Sequence, residues 1–186
     1  MLCTLSAYAQ NVDTAIKDRF TTMNQAMVDG DYAKAADYIS EELFTMLPKE
    51  QFVGMMEMMM NNPQLEVGLT IPTVLSVGDV TKVSEKFYVV LATKSVQNLR
   101  LYNADGQVAK LTDSPMVQQA YGAWKTQMGE ENIKYDESTG QFSLTILQKV
   151  LAVSPDGKSS WKFLTVDEAS RPMIEQVVPE EVMNML

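Results

Sequence analysis

From Val12 the apolar residues recur at Val12, Ile16, Phe20, Met23 and Met27. Steps of four and three place them on one face of a helix, with Asn11 or Asp13 to cap its start. Gly30 can take the left-handed position at its end. Asp31 then predicts the cap of a second helix whose buried side is Tyr32, Ala35, Ala36 and Ile39. A third helix opens at Pro48, a favoured first-turn residue, and stops at Asn61-Asn62-Pro63. Its Phe52, Val53, Met55, Met56, Met59 and Met60 cover so wide an arc that it is expected to be heavily buried or to meet a partner.

After Pro63 the period falls to two. Leu65, Val67, Leu69 and Ile71 alternate with polar or small residues and predict a strand. Residues 74–83 and 86–96 predict a hairpin around Ser84-Glu85. Residues 99–102 and 107–111 flank the turn Asn103-Ala104-Asp105-Gly106. Ser114-Pro115 opens a helix that carries Val117, Ala120, Tyr121 and Trp124 on one side and closes at Gly129. Strands resume over 133–135, 141–153 and 159–166, joined by the turn signals Glu137-Ser138-Thr139-Gly140 and Ser154-Pro155-Asp156-Gly157. A helical tail is expected from Glu175, restarting at Pro179.

These elements read as one α+β domain over residues 10–186. The chain of 186 residues is 46% hydrophobic and 21% charged, which suits a folded core. Its net charge of −9 and scattered lysines and arginines argue against nucleic acid, because phosphate affinity needs a concentrated cationic patch. No apolar stretch approaches the roughly 20 residues of a membrane span. Histidine is absent and Cys3 is the one cysteine. Zinc sites of the Cys/His kind and histidine-activated nucleophiles therefore fall away, and no cofactor is expected.

Ala7-Tyr8-Ala9 has the small-x-small pattern of a signal-peptidase site behind a short apolar run. Residues 1–9 are accordingly expected to be the remnant of an export signal, with cleavage before Gln10 and a periplasmic or extracellular mature chain. Lipidation of Cys3 is the other reading of this segment. A mature chain without cysteine suits an oxidising compartment.

The order of helix, corner, helix, helix and then antiparallel strands resembles the nuclear transport factor 2-like superfamily, the cystatin-like α+β cone. Ala26-Met27-Val28-Asp29-Gly30-Asp31-Tyr32-Ala33-Lys34-Ala35-Ala36 carries the likeness, together with Trp161-Lys162-Phe163 in the last strand. It covers roughly residues 11–167; the helix around 114–128 and the C-terminal tail are additions. The resemblance implies N-terminal helices packed on a strongly curved antiparallel sheet, a conical pocket lined by apolar residues, and a homodimer.

Within that frame the expected function is non-catalytic binding of a small apolar ligand or a protein partner through a pocket or sheet face. Phe52, Met56, Phe87, Val89, Tyr121 and Trp124 are the candidate lining, chosen for hydrophobicity. The alternative is a small-molecule isomerase or dehydratase with an Asp or Glu base beside a tyrosine, for which Tyr32, Tyr38, Tyr88 and Asp79 are available. Such a site would raise the carboxylate pKa by burial. Met55, Met56, Met58, Met59 and Met60 could offer thioethers to Cu(I), but a deformable apolar surface explains them more simply, and no metal is expected.

Overall fold

The computed structural model describes residues 3–168 and 170–186, with side chains from Asn11 onward. The described helices are α1 (Cys3–Val28), α2 (Tyr32–Ala36), α3 (Glu41–Phe44), α4 (Lys49–Met60), α5 (Pro115–Met128), α6 (Arg171–Ile174) and α7 (Glu180–Met183). The strands are β1 (Leu65–Gly68), β2 (Thr73–Val77), β3 (Thr81–Val83), β4 (Lys86–Leu101), β5 (Ile133–Asp136), β6 (Gln141–Ser154) and β7 (Lys162–Val166). They form an antiparallel sheet that does not close, ordered β1-β4-β6-β5, with β2 and β3 also on β4 and β7 on β6. The protein is therefore α+β, with helices packed on an antiparallel sheet.

The helical corner forms as its residues dictate. Gly30 has φ +77°, the Gly30 N–H donates to Met27 O at 3.2 Å, and the Asp31 N–H donates to Ala26 O at 2.9 Å. This paired closure of a helix end needs a left-handed residue, which glycine adopts without a Cβ clash. The Asp31 carboxylate then accepts from the Lys34 N–H at 3.1 Å and starts α2, which buries Tyr32, Ala35 and Ala36. Ile39 lies beyond the helix, in a bridge to Phe163.

Several boundaries differ from the sequence reading. Helix α1 begins at Cys3, well ahead of Asn11 and Asp13, because Leu5, Ala7, Ala9 and Gln10 are good helix formers and nothing interrupts them. Met1 and Leu2, and the Cys3 side chain on which lipidation turns, lie outside the described residues. Residues 99–101 are the end of the long strand β4, and beyond it Tyr102 forms an isolated bridge with Val108, the one bridge from 107–111. Strand β7 starts at Lys162, since the N–H groups of Ser159 and Ser160 are held by Asp156 instead of a ladder. The C-terminal helix α6 ends at Ile174, where helix was expected to begin, and α7 starts after Pro179.

The chain divides into two compact units. The first contains the residues up to Val53, with Ile71–Lys94 and Leu147–Leu186. Here Val12, Ile16 and Phe20 of α1 pack on Val89, Leu91, Val150, Ala152 and Phe163. The alternate side chains Tyr88, Leu151, Val153 and Leu164 pack on Ile174, Val178, Val182 and Met183 of the C-terminal tail. Residues 150–153 of β6 are thus buried on both faces, which explains their unbroken apolar run.

The second unit contains Gly54–Thr70 and Ser95–Ile146. One sheet face, with Leu99, Leu101, Phe142 and Leu144, is covered by Val117, Tyr121 and Trp124 of α5. Phe142 is fully buried within three rings: Tyr135 at 4.5 Å, Trp124 at 5.2 Å and Tyr121 at 6.0 Å between centroids. The other face is polar, with Arg100 donating to Glu66 and Gln141 and Ser143 to Asn98. Alternation of this kind is what a sheet covered on one side requires.

Candidate functional site

A cavity of about 220 Å³ lies in the first unit beside strand β7. Helix α1 contributes Met23, Asn24 and Met27, one turn beyond its core contacts. Ile39, Leu43 of α3 and Phe52 of α4 form a second wall. Phe163, Leu164 and Thr165 of β7 and Ser170 and Ile174 around α6 complete it. Because side chains alternate along a strand, Phe163 joins the core under α1 while Leu164 joins the core under the tail. The cavity is thus bordered by α1, α3, α4, β7 and α6.

None of the described side chains lining this cavity is ionisable. It offers no group to take or deliver a proton, but it can receive apolar surface from water. The methionines bring flexible, polarisable thioethers that adapt to an occupant's shape.

Helix α3 forms one wall of a second, polar notch of about 290 Å³. While Leu43 lines the apolar cavity, Glu41 and Glu42 reach Lys162 and Lys86, and Ser40 donates to Glu42. The Glu41–Lys162 pair is 2.7 Å apart. Burial works to raise the Glu42 carboxyl, yet hydrogen bonds from Lys86 and Ser40 outweigh it and hold the group below its ordinary range. The Tyr88 phenol is raised, by burial first and then by the Glu42 charge. This carboxylate beside a tyrosine is kept ionised and occupied.

The six residues chosen from sequence are divided between the two units. Phe52 lines the cavity and meets Phe44 edge-on at 6.1 Å. Val89 is fully buried in the first unit's core, and Phe87 packs against that core with Lys82 over its ring. Tyr121 and Trp124 belong to the second unit, where they pack on Phe142, and Met56 lies on the part of α4 assigned to that unit. Sequence reasoning missed Met23, Met27, Leu43 and Ile174. Met23 and Met27 continue the apolar face of α1, and periodicity alone does not distinguish a cavity wall from a packed core.

Of the groups considered for catalysis, Tyr32 is buried in the helical corner, Tyr38 lies beneath the Arg19 guanidinium at 4.9 Å, and Asp79 is exposed. Helix α4 is not heavily buried: none of its residues is inaccessible, and Met55, Met58 and Met59 are 59%, 77% and 43% exposed. Its apolar residues are too evenly spread for one face to be turned inward. Among the described residues, no group of three or more His, Cys, Asp or Glu could hold a metal ion, and no helix is long and apolar enough to cross a membrane.

Comparison with protein-family models finds none that matches this chain, and comparison with curated proteins finds no match.

Proposed function

We propose that this chain is a non-catalytic binding module that takes a small apolar molecule into the cavity beside β7. The observation that carries this reading is a hollow of about 220 Å³ walled by Met23, Met27, Leu43, Phe52, Phe163 and Ile174, without an ionisable side chain. An apolar cavity of roughly 150 Å³ already accepts benzene. Transfer of an occupant's apolar surface supplies the driving force, at about 25 cal/mol per Å².

The rival isomerase or dehydratase would need a carboxylate base raised toward neutrality beside a tyrosine. Glu42 and Tyr88 are its nearest counterpart, and there the carboxyl is lowered and engaged by Lys86. Binding is the better reading.

Membership of the nuclear transport factor 2-like superfamily, export and a homodimer are proposals that rest on the sequence features given above. Cleavage before Gln10 would leave every described buried contact of α1 in place, since the first of them is Val12. The exposed methionines of α4 supply apolar surface for a partner, and native mass spectrometry of the intact chain would read the subunit count.

The binding test is a titration with N-phenyl-1-naphthylamine, a neutral fluorophore, on the wild type and on Met27→Trp. Saturable enhancement is expected for the wild type, weakened roughly tenfold or more by the indole that fills the cavity. Equal affinity of the two proteins would sink the assignment of this cavity.

A further inference from the structure

Helix α4 carries a chemistry that the cavity does not use. Steps of three and four put Met55, Met58 and Met59 on one face of it, and all three are exposed to water. Methionine is ordinarily a buried gap-filler, so three exposed thioethers within five residues need a reason. Among the described residues Met46 and Met116 are also exposed, each as the one exposed methionine of its own segment. We infer that Met55, Met58 and Met59 form a reversible oxidation site, which peroxide-type oxidants convert from an apolar to a polar surface while the fold stays intact.

The reaction is an oxygen-atom transfer. A sulfur lone pair attacks one oxygen of hydrogen peroxide, the O–O bond breaks as the S–O bond forms, and the departing hydroxide takes up the proton to leave as water. Sulfur loses two electrons and peroxide gains them. A dithiol reverses the change by becoming a disulfide and releasing the oxygen as water, the work of methionine sulfoxide reductases. Methionine supplies all of the chain's sulfur apart from Cys3, so thioethers dominate its two-electron oxidation.

Access orders the sites. The oxidant must reach the sulfur, and Met58 is 77% exposed where Met183 is 6%. Met23 and Met27 beside the cavity are half-buried. Because no residue of α4 is buried, polar sulfoxides on its outer face stay in water and displace no core contact. A sulfoxide inside the core would instead carry an unpaired polar oxygen into apolar surroundings. The outer face of α4 can therefore change polarity without unfolding the chain.

The test treats the intact protein with hydrogen peroxide at a dose that leaves Met183 reduced. Peptide mass spectrometry follows each methionine, thermal unfolding the fold, and retention on a phenyl column the surface. Sulfoxide is expected at Met55, Met58 and Met59 roughly tenfold faster or more than at Met183. The melting temperature should hold within about 2 °C while retention shortens. Methionine sulfoxide reductases acting on both epimers, supplied with a dithiol, should restore the retention. A triple variant, Met55→Leu with Met58→Leu and Met59→Leu, conserves apolar volume and should keep most of its retention under the same dose. Oxidation of the three no faster than Met183, a larger fall in melting temperature, or an equal loss of retention in the leucine variant overturns the inference.

Discussion

The ring of Phe87 occupies the space that a side chain on Gly157 would need: a Cβ there would sit 2.7 Å from Phe87 Cγ. Gly157 also has φ +62°, so both the backbone and the neighbour demand glycine. Gly157→Ala is expected to cost roughly 2–4 kcal/mol, combining left-handed strain with overpacking. Urea denaturation would measure it. Combined with Phe87→Ala, the loss should be smaller than the sum of the two single losses, because the clash has gone. Strict additivity would show that the ring is not the obstacle.

Arg19 ties helix α1 to the far end of the chain. Its Nε donates to Trp161 O at 2.7 Å, and its guanidinium covers Tyr38. Arg19→Met keeps most of the stem and removes the donor, leaving the carbonyl of a fully buried tryptophan residue without this partner. A loss of about 1–3 kcal/mol in thermal or denaturant unfolding is expected. A change within experimental error would mean that water replaces the guanidinium.

Acid should destabilise the first unit with a definite sign. The Asp156 carboxyl is held well below its usual range, first by the backbone N–H of Lys158, with Ser154, Ser160 and Ser159 also donating. Glu42 is lowered as well, its partners outweighing burial. For a carboxyl lowered by folding, the stabilisation is complete above the unfolded pKa and is lost as pH falls toward the folded one. Unfolding free energy should therefore be level from pH 7 to about 5 and decline below about 4.5. Asp156→Asn should flatten the decline; an unaltered acid limb would show that other carboxylates govern it.

The methionines of α4 should be mutable. Met58→Lys is expected to change stability by no more than about 0.5 kcal/mol, whereas Met183→Lys, in the buried tail, should cost 3 kcal/mol or more, roughly. Dilute peroxide should convert Met58 to the sulfoxide before Met183, as read by peptide mass spectrometry. Protection of Met58 in the wild type would reveal that its surface is covered in solution.

Much of the fold was legible because local chemistry and tertiary demand agree. Gly30 and Asp31 specify the corner, Ser114-Pro115 and Gly129 bound α5, and Ser84-Glu85 closes the hairpin between β3 and β4. The site was much less so. Hydrophobicity marks what leaves water, not which neighbours it meets, so Val89, Tyr121 and Trp124 looked like pocket candidates and are packed in two different cores. The same limit made α4 look interior. The cavity is walled by residues of α1, α3, α4, β7 and α6, and the periodicity within one segment carries no record of which distant segments face it.

Strand β7 has β6 on one side, and on the other the Phe163 N–H donates to Tyr38 O at 2.8 Å while Phe163 O accepts from Ser40 N at 3.0 Å. Its outer ladder is already engaged at the residue beside the cavity. An extended peptide therefore cannot join here as an extra strand without first unzipping residues 38–40. By engaging the outer edge at Phe163, this seam removes at that residue the free backbone groups from which an apolar strand could template aggregation.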